Sequence, residues 1–409
     1  MEEKINDFLR RFPIAKKIIK RLYQVTMVVR YKTKGKIVNF KPLKLDKDKN
    51  YFFGYYDKTP WSYDDKKMIF IRTSSACHQV ESSEKAEIIL YDLKNDTETV
   101  IGVTNSWNVQ QGCMLQWLDK EKIIYNKYID DKYKSVIYNV SSKRERIIDY
   151  PVYSVSSNGK FAINLDFNRL HFLRPGYGYC NQKAMKINDN MDSFAINYVD
   201  LQKNKEYGIL TYNEIIEFKK NDTMKNAIHK VNHIMISPNF KRFMFLHRWF
   251  KNGKKYTRLL TVDVDGKNMF ELLNEGMVSH CYWKNEKEII AFAHTKLCGN
   301  SYILLKDESQ ERKELWPELK RDGHPSYNVN NKLFTTDTYP DKCRISHLYI
   351  MNENNVKEIG SIYNSFRFDN LNRCDLHPRW NRSGNKICID GAPENTRKIF
   401  VVDVPNFKI

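Results

Sequence analysis

One short pattern recurs along most of the chain: a β-rich run, a tight turn of Asn, Asp, Ser or Gly, and a second β-rich run. It reads YYDKTPWSYDDKKMIFI (55–71), MLQWLDKEKIIYNKYI (114–129), YSVSSNGKFAINL (153–165) and HIMISPNFKRFMFLH (233–247). It continues as HCYWKNEKEIIAFAH (280–294), HPSYNVNNKLFTTD (324–337) and HPRWNRSGNKICID (377–390). Most copies are followed by an apolar strand that closes in an acidic turn, as in IILYDLKN, FAINYVDL, RLLTVDVDG and IFVVDVP. A single sandwich has no need of the same turn at the same phase seven times. Radial repetition of four-stranded sheets does, and the spacing suits it. The pattern predicts an all-β chain, a seven-bladed β-propeller over 37–409. About 80 residues separate the third and fourth turns, so an insertion is expected near 168–228. Long ordered insertions are more often functional than decorative.

Residues 1–36 have a different period. Ile5, Phe8, Leu9, Phe12, Ala15, Ile18, Ile19 and Leu22 recur at three- and four-residue spacing, the period of one helical face. Arg10, Arg11, Lys16, Lys17, Lys20 and Arg21 fill much of the remaining circumference, and Pro13 is expected to kink or split the helix. A basic amphipathic helix over 5–30 suits an anionic membrane surface, or the flank of the domain that follows it.

The net charge of +19 favours polyanionic partners, although a genome biased toward Lys, Asn and Ile gives a similar surplus. That charge is diffuse and no nucleic-acid-binding module is recognisable, which disfavours nucleic acid. No run approaches the length that spans a bilayer, and MEEKINDF is no secretory leader. Eight scattered cysteines without a CxxC pair read as reduced thiols. The expected compartment is the cytoplasm, peripherally at the inner face of the membrane.

Four of the ten histidines, His233, His280, His324 and His377, hold the same phase just before the strand–turn–strand signature. In a propeller, equivalent phases ring the central axis, so these imidazoles are expected to converge on one mouth. Asp375 and His377, two residues apart in a strand, point to the same side and can meet at one ion. Asn372 can add an oxygen across a bend. Such a donor set suits Mn²⁺ or another borderline divalent ion better than a thiolate-selective metal. Cys374 points the other way and is read as structural.

At these residues the sequence resembles the oligogalacturonate lyases, seven-bladed propellers that cleave short uronate oligomers by β-elimination with a Mn²⁺-type ion. The likeness extends loosely over 51–405 and is strongest from 230 onward. VNHIMISPNFKRFMFLHRW, with Arg258 eleven residues after His247, looks like the family's fourth blade, where an arginine serves as base. SHCYW (279–283) looks like the blade whose histidine binds metal, here His280. CDLHPRW looks like the last metal-binding blade, with Asn372, Asp375 and His377 where the family carries a glutamine and two histidines. The segments FFGYYDKTPW, QQGCMLQW and RLHFLRPGYGY fall outside that match. They resemble a divergent branch of propellers associated with bacterial surface polysaccharides.

The resemblance implies metal-assisted β-elimination on an acidic, uronate-containing glycan. His280, Asn372, Asp375 and His377 would hold the ion, and Arg258 beside His247 would take the proton. Arg169 and Arg174 are candidates to clamp carboxylates. Tyr177 suits a sugar ring, and Tyr56, Asp57, Gln111, His233 and His324 are further substrate-binding candidates. The alternatives are a non-catalytic glycan-binding scaffold or a transferase in surface-polysaccharide biosynthesis. No glycine loop for a phosphate supports the transferase. A peptidase or translocation propeller, suggested by HxxxSP at 233–238, lacks a hydrolase domain.

Overall fold

The computed structural model describes residues 13–74, 77–182 and 190–405. Among them, all-β architecture dominates: six antiparallel sheets follow one another in chain order. The first pairs Asn50–Phe52, Lys67–Thr73, Ala86–Asp92 and Thr97–Thr104 in that order, and the second Gln116–Trp117, Lys122–Ile129, Lys132–Asn139 and Glu145–Ile148. The third runs from Ser154–Val155 through Phe161–Leu165 and Phe194–Asp200 to Lys205–Thr211. A seven-stranded sheet then spans Ile228–Ile236 to Arg312–Leu315. It divides within the long strand Phe270–Trp283, whose first half pairs with Lys254–Asp263 and whose second half pairs with Glu288–Thr295.

The last two sheets are completed by the beginning of the chain. Ile37–Val38 is the outer strand beside Val356–Tyr363, and Lys41–Pro42 the outer strand beside Lys398–Asp403. Asn50–Phe52 then starts the first sheet against that same final strand, with Tyr51 N–H donating to Arg397 O at 2.9 Å. Last sheet and first are thereby joined, and the first strands of the later sheets lie side by side. The circle closes.

The repeated turns have a repeated cause. Ser156 and Ser237 each donate to the carbonyl five residues on and accept the amide of that same residue. The outer turns use an acidic or amide side chain as backbone acceptor: Asp92, Asn139, Asp200 and Asn352 each accept N–H groups two and three residues ahead. Middle strands such as Met68–Ile71 are buried on both faces, and outer strands such as Thr97–Val100 face solvent. The core therefore lies between neighbouring sheets.

Helix α1 (Pro13–Tyr31) packs Met27 and Val28 onto the sheet that carries Ile345 and Tyr363. Arg21 pairs with Asp369 at 3.3 Å and lies over the Phe366 ring. Pro13 is the first residue of this helix as described, and the part of the expected helix before it lies outside the described residues. The expected insertion is partly sheet: Phe194–Asp200 and Lys205–Thr211 complete the third sheet. What remains is α2 (Phe167–Leu173), capped by Asp166 at the Arg169 amide, the turn to Tyr179, and α3 (Tyr212–Glu217) with a Thr211–Glu214 capping box.

Candidate active site

The inner strand of each unit pairs with its neighbour at one recurring step: Trp61 with Met68, Trp117 with Ile123, Val155 with Ala162, Ile236 with Phe243, Trp283 with Ile289, Tyr327 with Phe334 and Trp380 with Ile387. Counting back three residues from each gives Lys58, Met114, Val152, His233, His280, His324 and His377. The four imidazoles thus occupy one structural position on successive units. Their rings lie together, with centroids 5.5 Å apart for His233–His280 and 4.3 Å for both His280–His324 and His324–His377. All four are buried. His233 and His377 sit at φ of +55° and +47°, a left-handed conformation that a Cβ disfavours and that clusters at functional sites.

The centre of that arc is Tyr55. Its ring lies 5.3 Å from His233 and 5.0 Å from His377, and its hydroxyl lies 3.0 Å from His233 Nδ1. A buried ion pair fixes it there. Arg379 meets Asp390 at 2.7 Å and donates to the carbonyls of Gly54 and Tyr55, while Asp390 accepts the amides of Phe53 and Gly54. Gly54, at φ of +120°, lies against the Gln111 backbone, where a Cβ would come within 2.6 Å. Gln111 in turn donates to Tyr153 at 3.0 Å, and Tyr153 accepts the His233 amide.

His324, Asp375 and His377 bring one ligand atom each within 4.8 Å of one another. Asp337 sets the tautomer of His324. It accepts His324 Nδ1–H at 2.8 Å together with the backbone amides of His324 and His377. His324 Nε2 and His377 Nε2 are buried with no hydrogen-bond partner. A carboxylate behind one imidazole and a bare nitrogen in front of it is the arrangement of a metal-ligating histidine. Burial, followed by the charges of His324 and Arg379, holds His377 well below the ordinary histidine range. Burial opposes the charged form of His324 as well, but Asp337 and Asp375 outweigh it and lift its pKa. Burial likewise opposes the Asp375 carboxylate, and Arg373 overcomes it in a bidentate pair that holds the carboxyl low.

The rim carries three arginines, of which Arg174 was expected and Arg373 and Arg248 were not. Arg174 lies 4.2 Å over the Tyr177 ring, and Arg373 lies 4.1 Å over Tyr339. Arg248 is buried, donates to Val278 O and Ser279 O, and leaves its Nε without a partner.

Several expected residues stand elsewhere or are already engaged. His247 and Arg258 are cross-strand partners, adjacent as expected, but Arg258 reaches beneath α3 rather than to the histidine arc. Arg258 donates to His247 Nδ1, to the carbonyls of Ile215 and Phe218, and to Glu271. His247 Nε2 meets His229 Nδ1 at 2.9 Å. With every nitrogen engaged, Arg258 is unsuited to accept a substrate proton. Arg169 is structural too, donating to His229 O and lying over Tyr212. Asn372 turns its amide to Cys77 O at 3.2 Å. His280 borders the triad and bonds Asp322 at 3.0 Å. His324, expected at substrate, stands in its place. Tyr177 packs edge-on to Tyr55 at the arc, as expected for a mouth residue. Tyr56 touches His324 and His280, whereas Asp57, paired with Lys58 at 2.6 Å, faces a cavity of about 380 Å³ at the tight-turn end of the channel. Tyr55, Arg373, Arg248 and Asp337 escaped the sequence reading.

The sequence matches no protein-family model and no curated protein. Solved structures are informative. An oligogalacturonate lyase from Vibrio parahaemolyticus is 12% identical over 91% of this chain and 99% of its own, with a TM-score of 0.63. An oligogalacturonate lyase in complex with manganese gives 13%, 91%, 99% and 0.64. The fold is that of the oligogalacturonate lyases. A tricorn protease matches less well, at 10% identity over 88% of this chain and 34% of its own, with a TM-score of 0.50.

Proposed function

We propose that the repeated units are the blades of a seven-bladed propeller running from residue 37 onward, and that its histidine mouth is the centre of a lyase. The reaction is metal-assisted β-elimination on an acidic, uronate-containing glycan. The observation that carries this reading is the triad of His324, Asp375 and His377, with two buried nitrogens facing inward and no partner. Two imidazoles and a carboxylate suit Mn²⁺, the ion held by one oligogalacturonate lyase of the same fold. His280 stands beside the triad and supports it.

A divalent ion bound there would neutralise the uronate carboxylate and make the adjacent C5 proton acidic. Arg174 and the Tyr177 ring orient the sugar. His233 takes the C5 proton as the C4–O bond to the neighbouring sugar breaks, leaving a C4=C5 double bond, and the departing oxygen takes a proton from water. Burial, then the nearby Arg248, holds the His233 imidazole well below the ordinary range, so it is neutral at pH 7, the form that can accept a proton. The Tyr55 hydroxyl orients that ring. The test is a calorimetric titration with Mn²⁺. The wild type should bind one ion and His377→Ala none, and a wild type that takes up no divalent ion counts against the reading.

One observation favours a second reading, a non-catalytic glycan-binding scaffold: Arg373 already pairs bidentately with Asp375 and competes with an ion for it. Such a scaffold would bind glycan equally well in chelator.

Helix α1 fits attachment to an anionic membrane, at the cytoplasmic face. Ile14, Ile18, Leu22, Val25 and Val29 form one exposed stripe, while Gln24, Met27 and Val28 face the domain. Lys17 borders the stripe, whereas Lys16 and Lys20 lie across the helix from it. Among the described residues no helix is long and apolar enough to cross a membrane.

A further inference from the structure

Alternation along a strand puts Arg248 on the opposite face from His247, and Lys230 is its direct cross-strand partner. Lys230 is 2% exposed and Arg248 3%. Like charges facing each other across a ladder repel, and buried charges without a counter-ion are costly. Yet among the described residues no carboxylate pairs with either, and Arg248 Nε is buried without an acceptor. Lys230 lies over the Phe250 ring, 5.4 Å away. Two further cations bear on the pair: Arg174, from the turn after α2, and Lys255, on the next strand. On its own strand the titratable neighbours are His229 and His233. The group adjoins the mouth, since Arg248 donates to Ser279 O beside His280, and Arg248 and Arg174 both depress His233.

We propose that Lys230, Arg248 and Arg174 form a receptor for a carboxylate of the glycan, distinct from the one at the metal triad, so that the ligand carries acidic groups on neighbouring sugars. The inference deepens the acidic-glycan reading and rests on it for the class of ligand. Two arginine forks match a planar carboxylate, and Arg174 is held over the Tyr177 ring beside them. Burial, then Arg248, Arg174 and Lys255, pushes the Lys230 ammonium down to about 6. A bound anion restores its charged form, so binding near pH 7 takes up a proton, and affinity falls as pH rises above 6.

The test is calorimetry of digalacturonate in buffers of different ionisation heat, with wild type, Lys230→Met and Arg248→Met, alongside thermal melts. Charge-assisted contacts imply at least about tenfold weaker binding in either variant, proton uptake lost in Lys230→Met, and Lys230→Met melting no lower than wild type. A merely structural lysine would lower the melting temperature and leave affinity unchanged. Unchanged affinity in both folded variants overturns the receptor, even where unsaturated product still forms. Lys230-dependent binding without product upholds the receptor and removes the elimination reaction. Displacement of digalacturonate by equimolar inorganic phosphate overturns the carboxylate assignment.

Discussion

Replacing Arg258 with methionine should unfold the protein more easily without touching the chemistry directly. The side chain is 0% exposed, and Met keeps most of its stem. The substitution strips donors from the carbonyls of Ile215 and Phe218, at 2.6 and 2.8 Å, and from His247 Nδ1 at 3.1 Å. It also leaves Glu271 without its cation at 3.0 Å. Each neutral contact is worth about 1 kcal/mol, and breaking a buried ion pair costs about 3–5 kcal/mol. Glu271 keeps 15% exposure and recovers part of its hydration, so the pair counts at the low end of that range, and with the three neutral contacts roughly 6 kcal/mol in total is expected. Against a whole-domain stability of about 5–15 kcal/mol, that is a large displacement of a urea-denaturation midpoint followed by tryptophan fluorescence. In urea-free buffer, the folded fraction should retain its affinity for digalacturonate. A variant as stable as the wild type, but without turnover, would refute the argument and return Arg258 to the role of base.

Gly54→Ala should cost about 3 kcal/mol or more, because a positive φ and a clash with the Gln111 backbone must both be relieved. Chemical denaturation measures it, and a neutral outcome would mean that the Tyr55 segment is not wedged as described. Stability should fall as pH drops from 6.5 toward 4. Burial, opposed in part by the Met224 carbonyl, pushes His229 down to about 4, and burial, then Arg258, holds His247 well below its ordinary value. The unfolded chain therefore binds protons that the folded chain refuses, at about 1.4 kcal/mol per pH unit for each imidazole; a flat profile over that window contradicts this assignment. Full-length protein should sediment with anionic liposomes at low salt, and Leu22→Glu should release it. Sedimentation unaffected by that change would give α1 another task.

The histidine arc was legible because radial repetition converts equal phase along the chain into proximity in space. The expected closing-strand turns were legible for a local reason, an Asp or Asn side chain replacing a backbone acceptor. The chain's closing by residues 37–42 was not, since two-residue strands carry no period. Arg258 was expected beside His247 and stands there, but spacing cannot tell which face of a strand looks to the centre. One residue along, Arg248 does. Tyr55 was missed because its place depends on Arg379 and Asp390, more than 320 residues away in sequence. Asp337 was missed because what matters is which carboxylate stands behind an imidazole, and only packing decides that.

The most direct test of the central claim is the ultraviolet absorbance of unsaturated uronate when purified protein is incubated with oligogalacturonate and other anionic glycans, with Mn²⁺ and with chelator. The histidine–aspartate triad predicts a rise on at least one uronate glycan that chelator abolishes and added Mn²⁺ restores. Absorbance that never rises on any of them, from a folded sample saturated with the ion, would contradict it.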